Sequence, residues 1–216
     1  MRGRLVKAIA LIVLVAAGAL AIGPVRHAVL RRAGRILVAS DAIFPSDLLT
    51  MDVESGLAGA LMLADLYRAN LSRATDPAVV GLLVPRATAI DRELRQRGIV
   101  VPDVAFDVLV QLGIPGRAIV RIPAGEGGTT ETTGALAAWA RARPGKKVLV
   151  VVGPSHGRRY QRALRRAWPA GQPAPAVVTT TYAPFHADDW WQSRTTLREG
   201  LVELEKLVLD LAQHPF

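Results

Sequence analysis

The segment Gly153-Pro154-Ser155-His156-Gly157 offers two chemistries. Taken as G-x-S-x-G between an apolar strand and a helix, it is the pattern of a hydrolase nucleophile elbow, with Ser155 as nucleophile. Asp189 and His214 follow in the chain order that such a hydrolase uses for its acid and base. Taken through His156 and Arg159, it is an anion-handling rim. These side chains stand three apart at a strand-to-helix junction, where unpaired N–H groups carry partial positive charge. Arginine grips a phosphate or carboxylate with two parallel hydrogen bonds, and histidine exchanges a proton near neutral pH. No HGGG-like oxyanion segment precedes the motif, and His214 lies two residues from the end of the sequence. Both points favour the rim, with His156 and Arg159 as the working residues and Ser155 secondary.

A second polar group lies upstream, in Gly125-Glu126-Gly127-Gly128-Thr129-Thr130-Glu131. Glu126 and Glu131 are of the type that serves as base, metal ligand or acceptor from a ribose hydroxyl. The plainer role for Thr129 or Thr130 is a helix N-cap, with Glu131 in the first turn. Arg158, Arg162 and Arg166 recur every four residues, the pattern of a solvated helix face. Trp190 and Trp191 suit packing or an interfacial anchor. His186-Ala187-Asp188-Asp189 has metal-binding residue types but no paired spacing such as H-E-x-x-H, so no metal site is expected.

To act together these residues must be carried to one place. Five short apolar runs predict strands at Leu48–Asp52, Val79–Val84, Ala118–Ile122, Val148–Val152 and Ala176–Thr181. Runs without alternation suit strands buried on both faces. Helical patterns lie between and after them: Ser55–Asn70, Thr88–Arg97, Pro102–Leu112, Thr130–Arg143, Arg158–Trp168 and Trp190–Gln213. The alternation predicts a three-layer, Rossmann-like α/β fold around a mostly parallel sheet of about five strands. Ligands of such sheets sit beyond the carboxyl ends of the strands. That rule nominates Asp52-Val53-Glu54, Pro85-Arg86, Gly125–Glu131, Gly153–Arg159 and Tyr182–Asp189.

The chain of 216 residues has no cysteine, which removes disulfides and thiolate metal sites. Its pI near 10.9 suggests a polyanion partner, but the charge is unevenly placed. Seven basic residues precede residue 36 with no acid among them, and all 18 acidic residues follow. The body is therefore close to balanced, and no nucleic-acid partner is expected. The basic residues flank an uncharged stretch, Ala8–Val25. Eighteen helical residues span roughly 27 Å, near the hydrocarbon thickness of a bilayer. The stretch predicts one N-terminal transmembrane helix, with residues 1–35 as a membrane anchor and 36–216 as the α/β domain. A cleavable signal peptide ending at Ala19-Leu20-Ala21 is the rival.

The run "GEGGTTETTGALAAWARARPGKKVLVVVGPSHGRRYQRALRRAW" resembles the core of the YdcF/SanA/ElyC-like envelope family. There an acidic loop with an N-T-x-E-N type motif opens a helix, and the next strand runs into T-S-x-x-H-x-x-R. Thr129 and Glu131 stand at the Thr and Glu of the first motif, His156 and Arg159 at the His and Arg of the second. Gly153 takes the place of the second motif's Ser, and Gly128 and Thr132 those of the flanking Asn residues. "DVESG" replaces the family's Gly-rich turn. Asp47, "ADLYRAN" and a C-terminal Glu199 or Glu203 follow the family's order, so the likeness spans most of residues 36 to 210.

Together the two readings make His156 and Glu131 the expected catalytic residues. Arg159, Glu126, Thr129, Gly153 and Ser155 are the expected ligand-binding ones. The resemblance implies a role in cell-envelope biogenesis or barrier integrity, at the plasma (inner) membrane, with the domain on the extracytoplasmic side. It also implies an anionic or nucleotide-like ligand such as S-adenosylmethionine. Two alternatives stand beside it: a hydrolase of an anionic ester using Ser155 or a Glu/His pair, and a non-catalytic envelope interaction factor. The uncharged stretch generates the first prediction. The full chain fractionates with membranes and resists alkaline carbonate, and release of a form beginning near Ile22 would instead identify a signal peptide.

Overall fold

The computed structural model describes residues 22–71 and 78–215. Its first element is a helix that the sequence reading did not mark, α1 (Gly23–Leu37), with Pro24 in the first turn. Proline suits that position, since its missing N–H would be unpaired there anyway. The proposed span Ala8–Val25 lies outside the described residues up to Ala21. Among the described residues no helix is long and apolar enough to cross a membrane.

All five expected strands form: β1 (Leu48–Met51), β2 (Val79–Val84), β3 (Ile119–Pro123), β4 (Val148–Val152) and β5 (Ala176–Thr179). They make one parallel sheet in the order β3-β2-β1-β4-β5. The expected helices follow with shifted ends: α2 (Gly56–Leu71), α3 (Ala89–Gln96), α4 (Val104–Gln111), α5 (Thr129–Arg141), α6 (Gly157–Ala167) and α7 (Arg194–Gln213). The fold is a mixed α/β architecture with a Rossmann-like parallel sheet.

Every residue of β1 and β4 is buried, because helices cover both faces of the sheet. On one face Leu49, Met51, Leu149 and Val151 pack with Leu63 and Tyr67 of α2 and Leu109 of α4. On the other, Leu48, Val148 and Val150 pack with Leu136 of α5 and Leu164 of α6. The edge strand β5 is tied to the segment before β1, whose Asp41 carboxylate accepts from the Val177 N–H. Asp47 pairs with Lys146 and accepts from the Lys147 N–H, at the strand ends away from the nominated rim.

A third core joins α1 to α7 around Trp190, Phe185, Leu37 and Leu207. The Trp190 indole donates to the Leu30 carbonyl at 2.8 Å and lies between two helix backbones that approach closely at Gly34 and Gly200. A Cβ at Gly34 would lie 2.7 Å from Trp190 Cδ1 and closer still to the Ala187 carbonyl oxygen. One at Gly200 would lie 2.6 Å from Trp190 Cζ3. The helix thus belongs to the body it packs on, and it runs past residue 35, where the sequence reading divides anchor from domain.

These contacts fix the sign of three substitutions. Gly34→Ala and Gly200→Ala overpack a rigid indole, which costs about 1–3 kcal/mol. That exceeds the helix-propensity gain of about 1 kcal/mol. Gly134→Ala in α5 meets no atom within 4 Å, so there only the gain remains. Differential scanning of the full chain should show lower melting temperatures for the first two and an unchanged or higher one for the third.

Candidate functional site

The strand order places β1 and β4 side by side, with later strands leaving in opposite directions, and the crevice at such a reversal is where open α/β sheets bind ligands. Two segments of the nominated rim meet there, and a third, Tyr182–Asp189, reaches the same cleft through Ala183 and Pro184. After β1, Asp52 caps a short 3-10 turn by accepting from the Glu54 N–H. Gly56, at φ +52°, then turns the chain into α2, a conformation that favours glycine. After β4, residues 153–156 lead to His156, the N-cap of α6.

His156 Nε2 lies 3.0 Å from Asp52 Oδ2, with the side chains 5% and 3% exposed. An ionised carboxylate only accepts, so this hydrogen bond puts the ring proton on Nε2 and leaves Nδ1 as the acceptor of the neutral ring. Nδ1 is 3.9 Å from Glu54 Oε2. Gly153 makes room for the ring, since a Cβ there would lie 3.2 Å from Nδ1. Tyr160 packs edge-on against His156 and is fully buried. Burial and the nearby Asp52 charge push its phenol far up, against a smaller opposite influence from the neighbouring Thr132 hydroxyl. No hydrogen bond of good geometry satisfies the phenol oxygen.

A third wall comes from α7. The Ser155 hydroxyl donates to Glu199, and Glu203 receives Arg159 at 2.9 and 3.3 Å and Lys206 at 2.7 Å. Burial works to raise the Glu203 carboxyl, but the hydrogen bonds and charges of Arg159 and Lys206 together hold it below its ordinary range. The cleft bounded by these elements has a volume of about 570 Å³, with Glu54, His156, Ser155, Glu199, Arg198 and Lys206 on its lining. Arg198 is exposed at its edge.

The sequence-expected residues divide. His156, Ser155 and Gly153 line the cleft. Arg159 stands beside it, with its fork already on Glu203 and its remaining nitrogen donating to Thr129 at 2.7 Å. Thr129 is therefore not the helix cap, a position held by Gly128. Glu126 is exposed and pairs with Arg86 at 3.4 Å. Glu131 is exposed in the first turn of α5, lies over the backbone at Gly125 and Gly128, and does not line the cleft.

The elbow geometry does not form. Among the described residues no non-glycine residue has positive φ, so Ser155 carries no such backbone strain, and its hydroxyl goes to a carboxylate. Asp189 is exposed and His214 ends α7, and neither lines the cleft. Asp188 pairs with Arg35.

Sequence reasoning gave no role to the Asp52–His156 partnership or to Arg198. Asp52, Glu54 and His156 also offer three ligand atoms within 4.8 Å of one another, the set that could hold a divalent cation here. Comparison with family models, curated proteins and solved structures finds no match to the chain.

The Arg159–Glu203 pair generates a prediction with a defined sign. A carboxyl depressed by folding stabilises above its unfolded value, near 4.5, and the contribution is lost as pH falls through the folded value. Glu203→Gln should cost about 2–4 kcal/mol near pH 7, because it leaves Arg159 without its counter-ion. The difference from the unsubstituted chain should shrink below about pH 4. Urea unfolding at the two pH values measures it.

Proposed function

We propose that this is a cell-envelope protein of YdcF/SanA/ElyC-like type, anchored through Ala8–Val25. It binds a small phosphate-bearing or nucleotide-like anion in the cleft between β1 and β4, and His156 exchanges a proton with it. The observation that carries the reading is the buried His156–Asp52 pair at the reversal of strand order. A carboxylate that orients one ring nitrogen leaves the other poised to take or give a proton. The N–H groups opening α6 and the exposed Arg198 supply positive charge near it. The cleft volume suits a ligand of nucleotide size, and Glu54 and Glu199 are acceptors of the kind that hold ribose hydroxyls. S-adenosylmethionine is the specific candidate that the resemblance implies. The extracytoplasmic placement of the domain rests on the same resemblance.

The Ser155–Glu199 hydrogen bond favours one rival, in which Glu199 acts as base for a serine nucleophile. Mass spectrometry of small molecules released from the full chain, purified in non-ionic detergent, tests the main reading. A phosphate-bearing or nucleotide-like compound should be retained, and Arg198→Ala should lower its retention about tenfold, the equivalent of one charge-assisted contact. Asp52→Asn and His156→Gln should retain it but slow its turnover by about 10²–10⁴-fold. Retention of nothing, or of an uncharged compound only, overturns the proposal. Fluorophosphonate labelling of Ser155 would transfer the chemistry to the serine.

A further inference from the structure

The arginines of α6 do not end as an isolated stripe. Arg158 and Arg162 enter one groove with Arg32 and Arg35 of α1, floored by Leu207 and walled by Ile36 and Leu211. The groove has a volume of about 400 Å³ and lies apart from the His156 cleft, with which it shares no lining residue. Its charge is incompletely balanced. Arg35 pairs with Asp188, and Arg162 shares Asp210 with Arg166. Among the described residues Arg158 has only neutral acceptors, the Ile36 and Val38 carbonyls and the Gln161 amide. Arg32 has no acidic partner among the described residues. Four guanidinium groups gathered from two helices repel one another and suit an anion between them.

Ile36 and Leu211 are 45% and 42% exposed, so the same groove offers apolar walls to the ligand that brings the charge. Position narrows the class further. Arg32 and Arg35 stand on α1, which begins at Gly23 inside Ala8–Val25, within a few turns of where that stretch ends. We propose that the groove binds the phosphate of an anionic phospholipid at the surface of the bilayer that Ala8–Val25 enters, with the apolar walls against its glycerol and upper acyl carbons. The inference rests on the membrane attachment proposed above and not on the chemistry at His156. Basic residues beside an anionic leaflet each contribute affinity in this way.

The test uses the full chain in non-ionic micelles, titrated with phosphatidylglycerol and, separately, with phosphatidylcholine of the same acyl chains, bound lipid being counted by native mass spectrometry. Phosphatidylglycerol should bind at least tenfold more tightly. Each arginine near an anionic headgroup contributes about fivefold, so Arg32→Gln with Arg35→Gln should lose about 25-fold and remove the preference. Arg31→Gln, an exposed charge on the same helix outside the groove, should change it less than twofold. Equal binding of the two lipids overturns the proposal. So does an Arg31→Gln loss as large as that of the double variant, which would indicate a diffuse basic surface. Displacement of phosphatidylglycerol by equimolar inorganic phosphate would also overturn it, by making the groove a simple anion site. Carbonate extraction of the full chain reads the attachment separately, so its failure is distinguishable from failure of the groove to prefer the anionic lipid.

Discussion

Asp52 and His156 meet at the ends of the two central strands, both nearly shut off from water. A lone carboxylate there would cost several kcal/mol in lost solvation. The hydrogen bond from Nε2 and the donation from the Glu54 N–H offset that cost, and each imposes geometry on its surroundings. The carboxylate can be reached only if β1 and β4 are adjacent and in register, as they are from Leu48 with Val148 to Met51 with Val151. The absence of a side chain at position 153 lets the ring fold back without crowding, as a Cβ there would lie 3.1 Å from Cε1. The turn that brings Glu54 alongside can continue into α2 only through the positive φ of Gly56. Sheet order, two glycines and the 3-10 turn thus follow from one buried contact.

The same contact explains why the cleft is mixed in charge. With Asp52 satisfied by His156, the other buried acid of the wall, Glu203, takes Arg159 and Lys206, while Glu199 receives the neutral Ser155 hydroxyl. An arginine gripped by both oxygens of a carboxylate is not open to a ligand unless the ligand displaces that carboxylate. The positive charge that an anion meets first is therefore that of Arg198 and the N–H groups opening α6. Arg159 acts mainly as a strut between α6, α7 and Thr129 at the start of α5.

What could be seen in the sequence divides along contact range. Apolar runs located all five strands, most plainly β1 and β4, where burial on both faces demands them; β3 at the edge is half exposed and carries Arg121. The strand-end rule nominated Asp52-Val53-Glu54 and Gly153–Arg159 together. That Asp52 belongs to His156, 104 residues away, depends on the strand order, which no local pattern carries. The cation-capable set of Asp52, Glu54 and His156 is hidden for the same reason, as its donors come from two separate segments. Glu126 and Glu131 have suitable chemistry, but Glu126 is exposed on the loop of positive-φ Gly125 and Gly127, Glu131 is exposed in the first turn of α5, and neither lines the cleft. Helix α1 escaped notice because its polar, arginine-rich face resembles a membrane flank, while the feature that makes it part of the domain is a tryptophan 160 residues from Leu30.

That tryptophan links the two ends of the molecule. Trp190 is held by Leu30 and Gly34 on α1 and pressed against Gly200 on α7. Gly200 is flanked by Glu199, which receives Ser155, and lies one turn from Glu203, which receives Arg159. The wall that closes the cleft and the helix that begins the described chain thus rest on opposite sides of a single indole. Neither backbone can move toward the rigid ring without overlap. The position of α1 is in this way part of the geometry of the site, although none of its residues lines the cleft.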